Sequence, residues 1–199
     1  MFDKKFELFE PEEHNHCCFA TFNYYETNLS EGFPFTYFFS VTYTLFEDSL
    51  KINVTVKNTD DKTFPFTLGW HPYFNCNDAK NSYLTFTSNQ KVEFDENLIT
   101  KEVVGEIAPE IFKINDKQLD DCFILNDNKI GFTTPSYKIE ITQRAEKSFL
   151  QLYTPENRSV IAIEPMTGIS NSFNNKIGLQ VLEPQKTYNL NWNLKLINE

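Results

Sequence analysis

Glycine and arginine are both scarce in this chain, and each shortage excludes a class of chemistry. Only six of the 199 residues are glycine, and they form neither a phosphate-cradling loop nor the turn that presents a nucleophilic serine. Arginine occurs only at Arg144 and Arg158. Because arginine binds phosphate through two parallel hydrogen bonds, the sequence disfavours a phosphorylated ligand.

Positive charge is in deficit as well. The formal net charge is −10, whereas nucleic acids and anionic membranes attract clustered Lys and Arg. No apolar run approaches the length of a membrane span, and residues 1–7 lack the apolar core of a signal peptide. We therefore expect a cytoplasmic protein that has neither a nucleic-acid partner nor a membrane partner.

Cysteine is limited to Cys17, Cys18, Cys76 and Cys122. An adjacent pair and two distant single residues match neither the ligand spacing of a zinc site nor a dense disulfide framework. Reduced thiols in the cytoplasm are the simplest interpretation. The sequence therefore predicts no metal site.

Aromatic residues, by contrast, are abundant, with twenty Phe and nine Tyr. They favour β structure, because aromatic rings pack well on a pleated, half-buried surface. Apolar and polar residues also alternate in short runs separated by polar turns. The runs that predict strands are 38–45, 50–56, 83–86, 91–94, 137–141, 149–153, 160–163 and 188–194. Many short strands of this kind predict an all-β fold, an antiparallel β-sandwich, in one domain over residues 1–199.

His71 is a candidate proton-transfer residue. It follows a predicted strand at 64–68, and Pro72 restricts it to extended geometry. Its neighbours Trp70 and Tyr73 are aromatic, and rings of this kind can pack against the C–H face of a sugar. A single histidine is more often structural than functional, so this alternative stays open.

Glu164 is the second candidate. It directly follows the apolar run 160–163 and precedes Pro165, so we expect it to end the strand and enter a long loop over residues 164–180. Another irregular stretch is expected at 95–122. In a groove, loss of water would raise the pKa of the Glu164 carboxyl towards that of a useful base. A solvated charge at a strand end is the alternative.

Asp120 and Asp121 lie where a further predicted strand begins. Two acids at such a position can bind hydroxyl groups, although acidic pairs are common in loops. A histidine and a carboxylate brought together in an aromatic-lined groove can act as an acid–base pair.

Several segments together resemble the aldose 1-epimerase (galactose mutarotase) family. They are FPFTY at 33–37, PF at 65–66, GWHPYF at 69–74, LDDCF at 119–123, IEPMTG at 163–168, NSFN at 171–174, GLQVLEP at 178–184 and NWNL at 191–194. The resemblance runs in order from about residue 33 to residue 196. The segments that contain His71 and Glu164 are specific as a pair, although neither would be specific alone.

The resemblance implies a large antiparallel β-sandwich, the galactose mutarotase-like supersandwich, that holds a sugar in a groove across one sheet. It implies a reaction without a cofactor, in which the α and β anomers of a free hexose are interconverted. By position, Glu164 resembles the base that takes the proton from the anomeric hydroxyl, and His71 resembles the acid at the ring oxygen. Asp120 resembles a residue that binds sugar hydroxyls. The site residues expected beside them are Trp70, Tyr73 and Asn75.

The chain departs from the family pattern near its beginning. Members of the family usually have several further strands, which end in a His-Gly-Phe-Ala-Arg-like segment, and nothing near Met1 matches it. We therefore expect a fold that is incomplete at the N-terminus, with a homo-oligomer or a partner chain covering the missing strands. The alternative functions are a non-catalytic carbohydrate-binding or regulatory module and a structural remnant without sugar affinity.

Overall fold

The structure is a computed structural model that describes residues 4–9, 11–14, 16–115, 118–156 and 159–197. The chain separates into two compact units. The first comprises Met1–Phe66 and Val181–Lys195, and the second comprises Thr67–Gln180 and Leu196–Glu199. The expectation of a single domain over residues 1–199 stays a prediction.

Strands dominate the described residues. In chain order they are β1 (Glu7–Leu8), β2 (Glu12–His14), β3 (Cys17–Glu26), β4 (Tyr37–Leu45), β5 (Ser49–Asn58), β6 (Phe64–Phe66), β7 (Tyr73–Asn75), β8 (Tyr83–Thr85), β9 (Ser88–Phe94), β10 (Thr100–Gly105), β11 (Phe112–Lys113), β12 (Asp120–Leu125), β13 (Lys129–Thr133), β14 (Lys138–Gln143), β15 (Phe149–Tyr153), β16 (Val160–Met166), β17 (Gln180–Leu182) and β18 (Thr187–Leu196). A short helix α1 (Ser172–Asn175) and a 3-10 turn (Ala79–Asn81) complete the described elements. Among the described residues, no helix is long and apolar enough to cross a membrane.

The first unit contains an antiparallel sheet in the order β1-β3-β4-β5-β18, and β2 also pairs with β3. Alternation along β5 buries Ile52, Val54 and Val56 on one face. Leu190 and Trp192 of β18 lie directly opposite Val54 and Ile52 and are buried on the same face. The apolar alternation that predicted this strand is therefore the pattern of its buried face.

The second unit contains two antiparallel sheets packed face to face. One has the strand order β14-β13-β8-β11 and the other has the order β10-β9-β12-β15-β16-β7. Aromatic rings from both sheets meet between them: Phe123 of β12 lies 5.7 Å from Phe112 of β11, and Phe74 of β7 lies 6.2 Å from Phe132 of β13, measured between ring centroids. The prediction of an all-β antiparallel sandwich is confirmed.

Two details of the strand prediction are wrong. Glu164 does not end its strand, because β16 continues to Met166 and pairs with β15 from Ala162 to Met166. Pro165 is tolerated there because its carbonyl accepts a hydrogen bond from the Trp70 N–H at 3.1 Å, so its nitrogen faces an irregular segment and not a regular neighbouring strand. The stretch 95–122 is also less irregular than expected, since it contains β10 and β11.

Candidate active site

One face of the six-stranded sheet brings the candidate residues together. The pairing of β15 with β16 sets Gln151 directly opposite Glu164, and the pairing of β12 with β15 sets Cys122 opposite Gln151. Residues directly opposite each other in a sheet point to the same face. Glu164, Gln151 and Cys122 therefore form one row across three strands, all within the second unit.

His71 contacts Glu164 directly. Its Nε2 lies 3.2 Å from Oε1 of Glu164. The short segment that carries His71 is bound to β16 on both sides. Trp70 donates its N–H to the Pro165 carbonyl at 3.1 Å, and the Pro72 carbonyl accepts from Ile163 N–H at 3.3 Å. Backbone hydrogen bonds to the strand that contains Glu164 thus hold His71 beside the glutamate.

The two partners differ in burial and in electrostatic environment. The Glu164 side chain is 12% exposed, whereas the His71 side chain is 54% exposed. Burial raises the pKa of Glu164 above its ordinary value. His71 opposes that rise in pKa, and the negative charge of Asp120 adds to it. Glu164 is therefore a carboxylate that holds a proton more readily than a solvated glutamate does.

Asp120 is connected to the pair through Gln151. The Gln151 amide donates from Nε2 to Oδ1 of Asp120 at 2.6 Å. Burial and the neighbouring Asp121 raise the pKa of Asp120, and the Gln151 hydrogen bond opposes that rise. Asp121 points to the opposite face, where its Oδ1 lies 2.6 Å from Lys91 Nζ. Of the two adjacent acids, Asp120 is the one that faces the candidate site.

A second row of residues borders the pair. Tyr73 lies opposite Ala162, Ala162 lies opposite Tyr153, and Tyr153 lies opposite Asp120. The small Ala162 is fully buried, so the middle of the row is a small side chain between two tyrosines. The ring of His71 also packs on Tyr73, with centroids 5.0 Å apart and planes inclined by 37°. This row can offer aromatic surface to an apolar ligand face.

The two remaining predicted binding residues, Trp70 and Asn75, differ in their distance from the pair of His71 and Glu164. Trp70 immediately precedes His71, and its backbone N–H contributes to the attachment described above. Asn75 lies opposite Val160, four residues before Glu164 along β16, which separates it from the pair by roughly 13 Å. Its carbonyl accepts a hydrogen bond from the Tyr137 hydroxyl at 2.6 Å. The structure therefore does not bring Asn75 next to the acid–base pair.

Two residues of this face were not anticipated from the sequence. Gln151 is a polar residue between the buried residues Leu150 and Leu152, and this is the signal that could have identified it. Tyr153 carries no such signal, because a tyrosine at a strand end is ordinary. Cys122 lies at the end of the row, and burial raises the pKa of its thiol to about 12, so it is a neutral residue there. Within the described parts of the chain, no group of three or more His, Cys, Asp or Glu side chains is placed to hold a metal ion.

The chain matches a known protein family over nearly its whole length. The model of the aldose 1-epimerase family matches residues 2–195. A curated relative, the uncharacterized protein YihR of Escherichia coli (strain K12), is 29% identical over 177 residues, which are 83% of this chain and 58% of the relative. The chain thus spans less than two thirds of the length of that relative.

Three solved structures are similar to this chain. The Slr1438 protein from Synechocystis sp. PCC 6803 has a TM-score of 0.84 at 24% identity, and the match covers 98% of this chain and 66% of that one. A galactose mutarotase-like protein from Clostridium acetobutylicum has a TM-score of 0.87 at 17% identity, and the match covers 99% of this chain and 68% of that one. Galactose 1-epimerase from Lactobacillus acidophilus NCFM has a TM-score of 0.78 at 16% identity, and the match covers 96% of this chain and 66% of that one. These similarities confirm the galactose mutarotase-like sandwich fold.

Proposed function

Because this chain belongs to the aldose 1-epimerase family, we propose that it interconverts the α and β anomers of a free hexose by acid–base ring opening. The observation that carries the proposal is the distance of 3.2 Å between His71 Nε2 and Glu164 Oε1. The anomeric hydroxyl and the ring oxygen of a sugar are bonded to the same carbon. A base and an acid that serve them must therefore lie close together, as these two side chains do.

Ring opening takes one proton away and delivers another. The Glu164 carboxylate removes the proton from the anomeric hydroxyl while protonated His71 donates a proton to the ring oxygen. The bond between C1 and the ring oxygen breaks, the anomeric oxygen becomes the aldehyde oxygen, and the ring oxygen becomes a hydroxyl. Each transfer of this kind contributes roughly 10²–10⁴-fold to the rate.

Ring closure reverses both transfers. After rotation about the bond between C1 and C2, the hydroxyl oxygen attacks either face of the aldehyde carbon. His71 takes back the hydroxyl proton, and protonated Glu164 returns its proton to the aldehyde oxygen. Both side chains regain their starting protonation states, so the proton count closes without a cofactor.

Asp120 and Gln151 are proposed to bind the sugar hydroxyls, with Trp70, Tyr73 and Tyr153 as aromatic surface. Asp120 accepts hydrogen bonds, and Gln151 holds its carboxylate by the 2.6 Å contact. Asn75 remains a proposed binding residue of the outer end of the groove.

We place the reaction in the cytoplasm, a proposal supported by the four free cysteines, Cys17, Cys18, Cys76 and Cys122.

The test is exchange between the two anomers of D-galactose or D-glucose, followed by polarimetry or by magnetisation-transfer NMR. We expect exchange faster than in buffer alone and a loss of about 10²–10⁴-fold in Glu164→Gln, because the amide cannot accept the proton. Glu140→Gln is the matched control, since Glu140 lies on β14 in an ion pair with Lys129. A Glu164→Gln variant with undiminished exchange would show that another group is the base.

A non-catalytic carbohydrate-binding or regulatory module is the second candidate. The exposure of His71, 54% of its side chain, favours it, because an acid in contact with bulk water is less able to direct its proton to one atom. Saturable binding of D-galactose in calorimetry without accelerated anomer exchange would support this function over the first. Absence of both would leave a structural protein.

A further inference from the structure

A loop after β16, residues 167–178, lies on the same sheet face as the acid–base pair; we call it the covering loop. Its Ile169 is buried against Val92, Cys122 and Phe149. Cys122 is directly opposite Gln151, and Gln151 is directly opposite Glu164. Ile169 therefore forms a wall at the end of the row that contains the proposed base.

The covering loop is closed at its base by two glycines. A Cβ on Gly178 would lie 2.5 Å from the Gly168 Cα and 2.3 Å from the Thr167 carbonyl oxygen. The Ile169 N–H also points to the Ile177 carbonyl, at a long 3.5 Å. The two ends of the loop thus meet, as they do in a compact surface loop.

Beyond this base, the loop is attached to the edge of the sheet by a latch between Thr100 and Ser170. The backbone N–H of Thr100 donates to Ser170 Oγ at 3.0 Å. The Thr100 hydroxyl donates to the Ser170 carbonyl oxygen at 2.8 Å, and its Oγ1 lies 2.8 Å from Ser170 Oγ. Ser170 immediately follows Ile169, so the latch acts on the residue next to the wall.

Local structure aims Thr100 at the loop. The pairing of β10 with β9 shifts register between Thr100 and Glu102, and such an irregularity redirects side chains at a strand end. The turn before it is held by Asp95, whose Oδ1 accepts from the N–H groups of Asn97 and Ile99, both at 2.9 Å. Thr100 therefore projects from a fixed turn on an edge strand, and Ser170 is attached to it.

We propose that Thr100 and Ser170 are positioning residues, whose latch holds Ile169 as the end wall of the sugar site and so sets the affinity for the sugar. This inference rests on the proposed function for the identity of the ligand. The latch does not touch His71 or Glu164 in any described contact. Loosening it should therefore weaken sugar binding and leave the proton transfers nearly unchanged.

The experiment compares Thr100→Val, which keeps the shape and removes the hydroxyl, with Thr100→Ser, which restores the hydroxyl. For D-galactose we expect Thr100→Val to raise KM and Kd between about twofold and tenfold, the range that one ordinary hydrogen bond allows, with kcat within about twofold of the parent. Thr100→Ser should restore KM. Thr55→Val is the matched control, because its hydroxyl donates to the Asn189 side chain within the first unit, whereas the covering loop belongs to the second unit.

A measurement that needs no sugar separates this inference from the proposed function. Hydrogen exchange at the amides of Ile169 and Ile177 should become faster in Thr100→Val and stay unchanged in Thr55→Val. If the parent chain neither binds nor converts D-galactose, the proposed function fails, and hydrogen exchange still decides whether the latch holds the loop.

Four results would overturn the inference. One is unchanged exchange at Ile169 in Thr100→Val. Another is unchanged KM and Kd in a parent that binds D-galactose. The third is a fall in kcat at constant KM, which would mean that Thr100 acts on the acid–base pair and not on the wall. Failure of Thr100→Ser to restore KM would likewise show that the hydroxyl is not the operating group.

Discussion

At the scale of single residues, the two proposed catalytic residues, Glu164 and His71, differ in burial. Glu164 is nine-tenths buried, and its pKa is raised by that burial and by Asp120. His71 stands mostly in water beside it. A buried carboxylate with an exposed partner is suited to giving up and regaining a proton, because its charged form is only moderately favoured.

The raised pKa of Glu164 predicts the acidic side of the pH profile. The proposed base works only when deprotonated, so kcat/KM should fall as the pH decreases through the pKa of Glu164. Because that pKa is above its ordinary value of 4.5, the fall should begin at a higher pH than for a solvated glutamate. Steady-state anomer exchange between pH 4 and pH 8 measures it.

The neighbouring carboxylates provide the comparison for this profile. Asp120→Asn removes a negative charge that raises the pKa of Glu164. The fall of kcat/KM at acidic pH should therefore move to lower pH, whatever the change in the maximal value of kcat/KM. Asp121→Asn is the control, because Asp121 is paired with Lys91 on the other face. An equal shift of the acidic fall of kcat/KM in both variants would contradict the role given to Asp120.

Gln151 is expected to orient Asp120. In Gln151→Met the side chain keeps its size but loses the donor that contacts Asp120 at 2.6 Å. Because a hydrogen bond to a charged group contributes about 1.5–3 kcal/mol, we expect D-galactose affinity to fall by roughly 10- to 100-fold. Titration calorimetry measures the loss, with Gln90→Met at an exposed position of β9 as the control. Equal affinities in the two variants would leave Gln151 without this role.

At the scale of elements, β16 and the loop that follows it carry the geometry of the site. β16 holds Glu164 in register with β15 and receives the backbone bonds that position His71. The covering loop then returns onto the same face through a base that has no room for side chains at Gly168 and Gly178. The element that supplies the proposed base is thus also the one that leads into its wall.

Gly178 tests the closure of this loop. It has a φ of +73°, and an added Cβ would overlap the backbone of Thr167 and Gly168. Gly32 has a φ of +85° with open space around it. We expect Gly32→Ala to lower the free energy of unfolding by about 1 kcal/mol, the cost of the left-handed backbone, and Gly178→Ala to lower it by about 2 kcal/mol or more beyond that.

Urea denaturation followed by circular dichroism measures both glycine variants. Gly105→Ala completes the series, because Gly105 has neither a positive φ nor a neighbour near the added carbon, so its stability should be close to that of the parent. Equal losses at Gly178 and Gly32 would mean that the base of the loop yields to the added carbon.

At the scale of the whole molecule, the expectation of self-association or of a partner chain concerns the first unit. The registers of β1, β3 and β4 set Leu8, Tyr43 and Leu45 on one face. These side chains are 55%, 38% and 54% exposed. The strands β1 and β2 at this edge are only two and three residues long, which limits how far β3 is covered. Exposed apolar surface of this kind favours association.

Sedimentation velocity over a range of protein concentrations tests this expectation. For a homo-oligomer, the sedimentation coefficient of the parent should rise with concentration, and Leu45→Glu should abolish the rise, because a charge on this face cannot be buried without cost. Thr44→Glu adds the same charge to the opposite face of β4 and should leave the rise intact. A parent that sediments as a monomer throughout would contradict self-association.

The sequence predicted the fold class through features that need no knowledge of the tertiary structure. Alternation at Ile52, Val54 and Val56 is a property of neighbouring residues, and it identified the strand and its buried face. The prediction from sequence was wrong at Glu164, where Pro165 suggested a strand end. The strand continues because the proline faces the irregular segment at Trp70, and this relation between distant parts of the chain leaves no trace in local sequence.

The sequence by itself determined the motifs that contain His71 and Glu164, the scarcity of arginine and the alternation that predicts the strands. Only the tertiary structure decided which side chains meet. It aligned Gln151 with Glu164, turned Asp120 towards the site and Asp121 away from it, left Asn75 remote, and attached Ser170 to Thr100. The physical reason is that strand register is set by hydrogen bonding and packing between distant segments, and a shift of one residue would move every side chain of a strand to the other face.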